Sequence, residues 1–184
     1  MSDADWLKIT GKDPEHYDFT GADFHMIESL LPRTAANVPP GVVNASTCPP
    51  GSPDSCDPVS GREWDTKNGD LQFACIFALP QPKDCSAPQY LGACDCTANS
   101  PNQITPLCVN SGGTYTQTQV FGKAYPSLRE MVIAHKMGMN GIASSLCPIH
   151  VTPVNNDNPP DPLFGYRPAW QAIVDRFAGS LRGP

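Results

Sequence analysis

Between Asp70 and Cys108 the chain carries five of its eight cysteines, Cys75, Cys85, Cys94, Cys96 and Cys108, starting within its most apolar run, Leu71 to Leu79. Cysteines set this densely among Pro, Ser, Asp and Gly point to a disulfide framework. Such a framework limits a fold more than any local propensity, because each bridge holds two Cα atoms within about 7 Å. The run Leu71–Leu79 reads as a strand, apolar on both faces and stopped by Pro80. Lys83 to Gly113 is then a loop too long for an ordinary connection, of the kind that carries function or is stapled to persist. Cys48 and Cys56 flank a Pro-Pro-Gly turn and are the natural local pair. Cys94 and Cys96 point the same way on an extended chain, so each is expected to bond a different partner, within the loop or among Cys75, Cys85 and Cys108. Cys147 is the eighth.

A framework of eight cysteines implies an oxidising compartment: extracellular, periplasmic or cell-surface. Met1–Lys8, MSDADWLK, lacks the basic start and apolar run of a signal peptide. Either a signal has been removed ahead of it, or the chain is a piece of a longer secreted one. No segment is apolar over the ~20 residues that cross a bilayer as a helix. A formal net charge of −6 with no basic cluster argues against nucleic acid as a partner.

Proline (21) and glycine (15) are close to a fifth of the 184 residues, so much of the chain is turn or extended segment. Turn residues dominate Arg33–Asn68, and residues 1–69 read as an extended, proline-rich arm. Its aromatics are Trp6, Tyr17, Phe19, Phe24 and Trp64, and Trp64 is placed to cover the strand that follows. Within the arm, Asp23–Leu31 has helical spacing but also suits a short strand. Asn44-Ala45-Ser46 fits a glycosylation sequon. Residues 70–184 read as an α/β domain with a cysteine-rich insertion at 80–113. Thr114–Tyr125 has strand character. Leu128, Met131, Val132 and His135 share a helix face after Pro126 or Ser127. Ile142–Cys147 is a short apolar segment read as a strand beside Leu71–Leu79. Trp170, Ile173, Val174, Phe177 and Leu181 make an apolar stripe on a helix over 168–181. The fold class is therefore α/β: a partial doubly wound sheet, helices packed on it, a disulfide-stapled loop and an extended arm.

The phrases DLQFACIFAL, GKAYPSLREM, GIASSLCPIH and GYRPAWQAIVDRF resemble the C-terminal part of large secreted bacterial proteins with a von Willebrand factor A-type domain. The resemblance covers about the last two thirds of the chain and implies a doubly wound sheet. That family's metal motif, Asp-x-Ser-x-Ser, is absent here, so the resemblance brings no adhesive metal site with it.

Chemistry has little support in the pattern. Ser144, Ser145, His135 and His150 are present without a Gly-x-Ser-x-Gly elbow. Cys94-Asp95-Cys96 is one residue short of a redox Cys-x-x-Cys. A metal-binding domain or metal-dependent enzyme remains as an alternative, with Cys147, His150 and the Cys94/Cys96 pair as ligands. Asn155, Asp157 and Asp161 offer calcium-type oxygens on alternating loop positions, although their spacing matches no EF-hand. His16 and His25 lie among Asp13, Glu15, Asp18, Asp23 and Glu28, which reads first as a solvated acidic face. The favoured expectation is a non-catalytic interaction or structural module that assembles with itself or with another chain.

Overall fold

A computed structural model describes residues 1–43, 48, 56–90, 92–98, 105–108 and 114–181. The sequon at Asn44 and parts of the Lys83–Gly113 loop lie outside them. The described residues form a mixed helix and strand fold with a two-stranded antiparallel sheet, three α-helices and four disulfides.

Helix α1 (Asp3–Thr10) starts at a capping box: Asp5 N–H donates to Ser2 Oγ, and Ser2 N–H returns a bond to the Asp5 carboxylate. It stops at Gly11 (φ +75°), where a Cβ would sit 2.6 Å from Phe19 Cα. Strands β1 (Cys75–Asp84) and β2 (Thr118–Ala124) pair with Cys75 opposite Ala124 and Asp84 opposite Thr118. The strand thus begins four residues later than its apolar run and does not stop at Pro80. It continues because Pro80 and Pro82 fall where the register slips, between Ala78 and Lys83, and no ladder N–H is needed there. Gly122 lies opposite Phe77, whose ring fills the space a Cβ would take, 2.5 Å away.

The core gathers where the apolar run enters the sheet. Trp64, Phe73, Ile76, Cys85, Cys96, Leu107 and Cys108 are buried together, with Tyr115, Phe121 and Tyr125 around them. Gln72, fully buried within the run, pairs with the Trp64 backbone: its Nε2 donates to Trp64 O (2.7 Å) and its Oε1 accepts from Trp64 N–H (3.2 Å). The amide therefore adds no unsatisfied polar group to the core.

Residues before 70 do more than extend. Ala22, Phe24 and Ile27 are buried, and Arg33 and Glu63 form an ion pair with both side chains 1% exposed (2.6 Å). Arg33 also donates to the carbonyls of His25 and Phe73, which fastens the early turns to the start of the apolar run. Asp23–Leu31 is neither helix nor strand but a 3₁₀ turn, Phe24–Met26, with Asp23 as its N-cap.

Three further expectations are corrected. Ile142–Cys147 is not a strand; it approaches β1 through the Cys75–Cys147 disulfide rather than a hydrogen-bond ladder. The partner of β1 is β2, reached through the stapled loop. The pair is antiparallel, which needs no helical crossover, and the described residues contain no doubly wound sheet. Helices α2 (Leu128–Lys136) and α3 (Arg167–Leu181) do form where periodicity puts them, but neither contains a buried residue among those described. They are not packed onto the sheet as expected.

Candidate interaction surface

After Pro126 the only buried residue among those described is Asp161. The same 55 positions hold thirteen of the twenty exposed large apolar side chains. On α3 the stripe expected to face inward faces out: Trp170 is 66% exposed, Val174 55%, Phe177 66% and Leu181 86%. The side turned toward the protein carries Ala169, Ile173 and Arg176, and Arg176 donates to Asn140 Oδ1 (2.7 Å). Between α3 and the turn at 138–143 runs a shallow groove of about 600 Å³ edged by Met139 and Ile142.

This region is fixed at a few points. Cys147 is bonded to Cys75. The Trp6 and His135 rings stack at 4.4 Å, joining α1 to α2, and Lys136 meets Glu15 at 2.5 Å. The start of α3 is held by a polar knot. Asp161 takes His150 Nδ1 (2.8 Å) and the N–H groups of Val154 and Leu163 (both 3.0 Å). Arg167 embraces Asp157 with both Nη atoms and donates to Asp161 O (2.9 Å). That guanidinium holds the Asp157 carboxyl down at about 2. The N–H groups of Val154 and Leu163 and the His150 ring likewise hold Asp161 below the ordinary carboxylate value.

The candidate ligands therefore already have partners. Asp157 faces an arginine, Asp161 a histidine and backbone N–H groups, and His150 faces Asp161. Cys147, Cys94 and Cys96 are in disulfides with Cys75, Cys85 and Cys108, so none offers a thiolate to a metal. Cys48 pairs with Cys56 as spacing suggests. Among the described residues no hydrogen bond joins Ser144 or Ser145 to His135 or His150, and no cluster of three metal-ligating side chains occurs.

Two further polar nodes join residues distant in sequence; the first draws on His25 and Asp23 of the acidic cluster. His25 bridges Asp23 (2.7 Å) and Asp57 (3.0 Å), 32 residues apart from the latter. Lys123 Nζ lies 3.1 Å from both Asp70 and Asp95 and over the rings of Phe73 and Tyr125, while Tyr125 Oη donates to Asp70 (2.6 Å). Burial and the bond to Asp70 push the Tyr125 hydroxyl up to about 12. Both nodes join distant parts of the stapled core. Trp170 and its neighbours are left as the feature that the fold does not use internally. Comparison with family models, characterised proteins and solved structures finds no match for this chain.

Proposed function

We propose that the protein is a secreted, non-catalytic interaction module that works by docking the open face of its C-terminal third onto another protein surface. The observation that carries this is the outward stripe on α3. A continuous apolar stripe of this extent on a cross-linked protein favours an interaction site. Four disulfides favour an extracellular, periplasmic or cell-surface setting, where such bridges persist. No helix among the described residues is long and apolar enough to cross a membrane. The reading does not rest on the von Willebrand resemblance.

The test is made in the protein's own source. Wild type should run on native sizing as a complex larger than the 19.7 kDa chain, and Phe177→Asp should run as the free chain. Wild type and variant both migrating at the free-chain size would defeat the proposal.

A further inference from the structure

We infer that the occupant of the α3 stripe is a second copy of this chain, its α3 laid antiparallel across a two-fold axis. The inference rests on the interaction reading above and adds the identity of the partner. Four observations point to it.

The first is spacing. Trp170, Val174, Phe177 and Leu181 are separated by 4, 3 and 4 residues, all four well exposed. That is the a/d rhythm of a helix seam made for another helix.

The second is self-complementarity. A two-fold axis between Val174 and Phe177 sets Val174 against the partner's Phe177 and Trp170 against the partner's Leu181. Large then meets small at the centre, twice, as an isologous interface requires.

The third is charge. The chain carries −6 overall, which opposes self-association. Yet Asp175 and Arg176 are the only charged residues from 168 to 181, and both lie off the stripe. Flanking positions are Gln171, Ile173 and Ala178, so no like charges meet at the seam.

The fourth is area. A covered aromatic ring buries ~150–250 Å², and with Val174 and Leu181 added the stripe offers roughly 500 Å² per copy. Two copies reach the ~1,000 Å² that a specific interface needs. Tyr166, 48% exposed and one turn before Trp170, adds to it. An interface at that lower bound is the size of weak, transient contacts, so the dimer is expected to be in equilibrium with its monomer.

Sedimentation equilibrium of the purified full chain, disulfides intact, tests this. Wild type should pass from 19.7 kDa to twice that mass as concentration rises through the micromolar range. Val174→Asp or Phe177→Asp should raise the Kd by about 30-fold or more, as loss of a central anchor does. Tyr17→Asn, which alters an exposed aromatic outside the stripe, should leave it unchanged. Positions 174 and 177 are exposed in the single chain, so these variants should keep the wild-type circular dichroism and disulfide map. Orientation has its own readout. Val174→Glu chains mixed with Phe177→Lys chains should associate, and neither should self-associate. A chain that stays at 19.7 kDa throughout, or a dimer indifferent to Phe177→Asp, overturns the inference. If that monomer still forms a Phe177-dependent complex in its own source, the second copy is excluded while the interaction module stands.

Discussion

The two ends of the chain are stabilised in opposite ways. From Ala22 to Pro126, three disulfides, the Trp64–Phe73 core and the Arg33–Glu63 pair close a structure in which, among the described residues, only Leu30, Leu31, Val43 and Val59 are exposed large apolar side chains. From Ser127 to Leu181 a single disulfide, one ring stack and a polar knot fix a surface that is left open. Sequence hydrophobicity does not separate them: Trp64 and Trp170 are the same residue type, one 1% exposed and the other 66%. The difference lies in what is brought opposite each. Cross-links can therefore position an apolar helix without covering it, and that combination suits a docking face.

The largest effects are expected in the core. Trp64→Ala should cost about 3–5 kcal/mol in urea unfolding with disulfides intact. Arg33→Ala should cost a similar ~3–5 kcal/mol, because it leaves the buried Glu63 carboxyl without its partner. A loss below 1 kcal/mol for either would mean that this half is not the closed one.

Next comes the link between the halves. Replacing Cys75 and Cys147 by Ser removes a bridge spanning 72 residues and should cost roughly 2–4 kcal/mol. Limited proteolysis should then cut within 127–181 while the core fragment stays whole. Early cleavage around Trp64 would contradict that order.

A smaller, pH-dependent effect belongs to the closed half. Burial opposes a charge on His25, but bonds to Asp23 and Asp57 outweigh it against the further opposition of Arg33, and the pKa lies above 6.5. A raised pKa gives stability that is complete below pH 6.5 and is lost as pH rises through the folded-state value. For Asp57, burial is outweighed by bonds from His25 and Ser60 N–H, and its pKa lies below 3.8. Its share is present above that value and is lost as pH falls through the lowered one. The node thus contributes most between about pH 4 and 6.5. His25→Gln should flatten the fall in stability above pH 6.5; an unchanged pH profile would remove the node from the account.

The smallest effect is expected on the open side. Trp170→Ala should change the stability of the monomer by no more than about 0.5 kcal/mol. A cost of several kcal/mol would place Trp170 in a core.

What the sequence made legible was local. The Cys48–Cys56 pair, the separate partners of Cys94 and Cys96, and the helices near 128–136 and 168–181 follow from spacing over a few residues. Periodicity tells which side chains share a face of α3 but carries no information about what lies opposite, so the stripe reads as core. From sequence the strand ends at Pro80, since only pairing with β2 reveals the irregular register that spares a proline its missing N–H. Arg33–Glu63, His25–Asp57 and Lys123–Asp70 were invisible because their partners lie 30, 32 and 53 residues apart and are charged types usually found in water. The oxygen-rich run Asn155–Asp161 suggested a cation. The structure supplies one, the guanidinium of Arg167, from the first residue of the next helix.

Hydroxyl-radical footprinting of the dilute monomer, read by mass spectrometry at each tryptophan, tests the division most directly. Trp170 should oxidise many times faster than Trp64 in the same molecule, with half-buried, ring-stacked Trp6 between them. Equal protection of Trp170 and Trp64 in a chain shown to be monomeric would mean that the C-terminal face is covered by the protein itself, and the account of an open docking surface would be wrong.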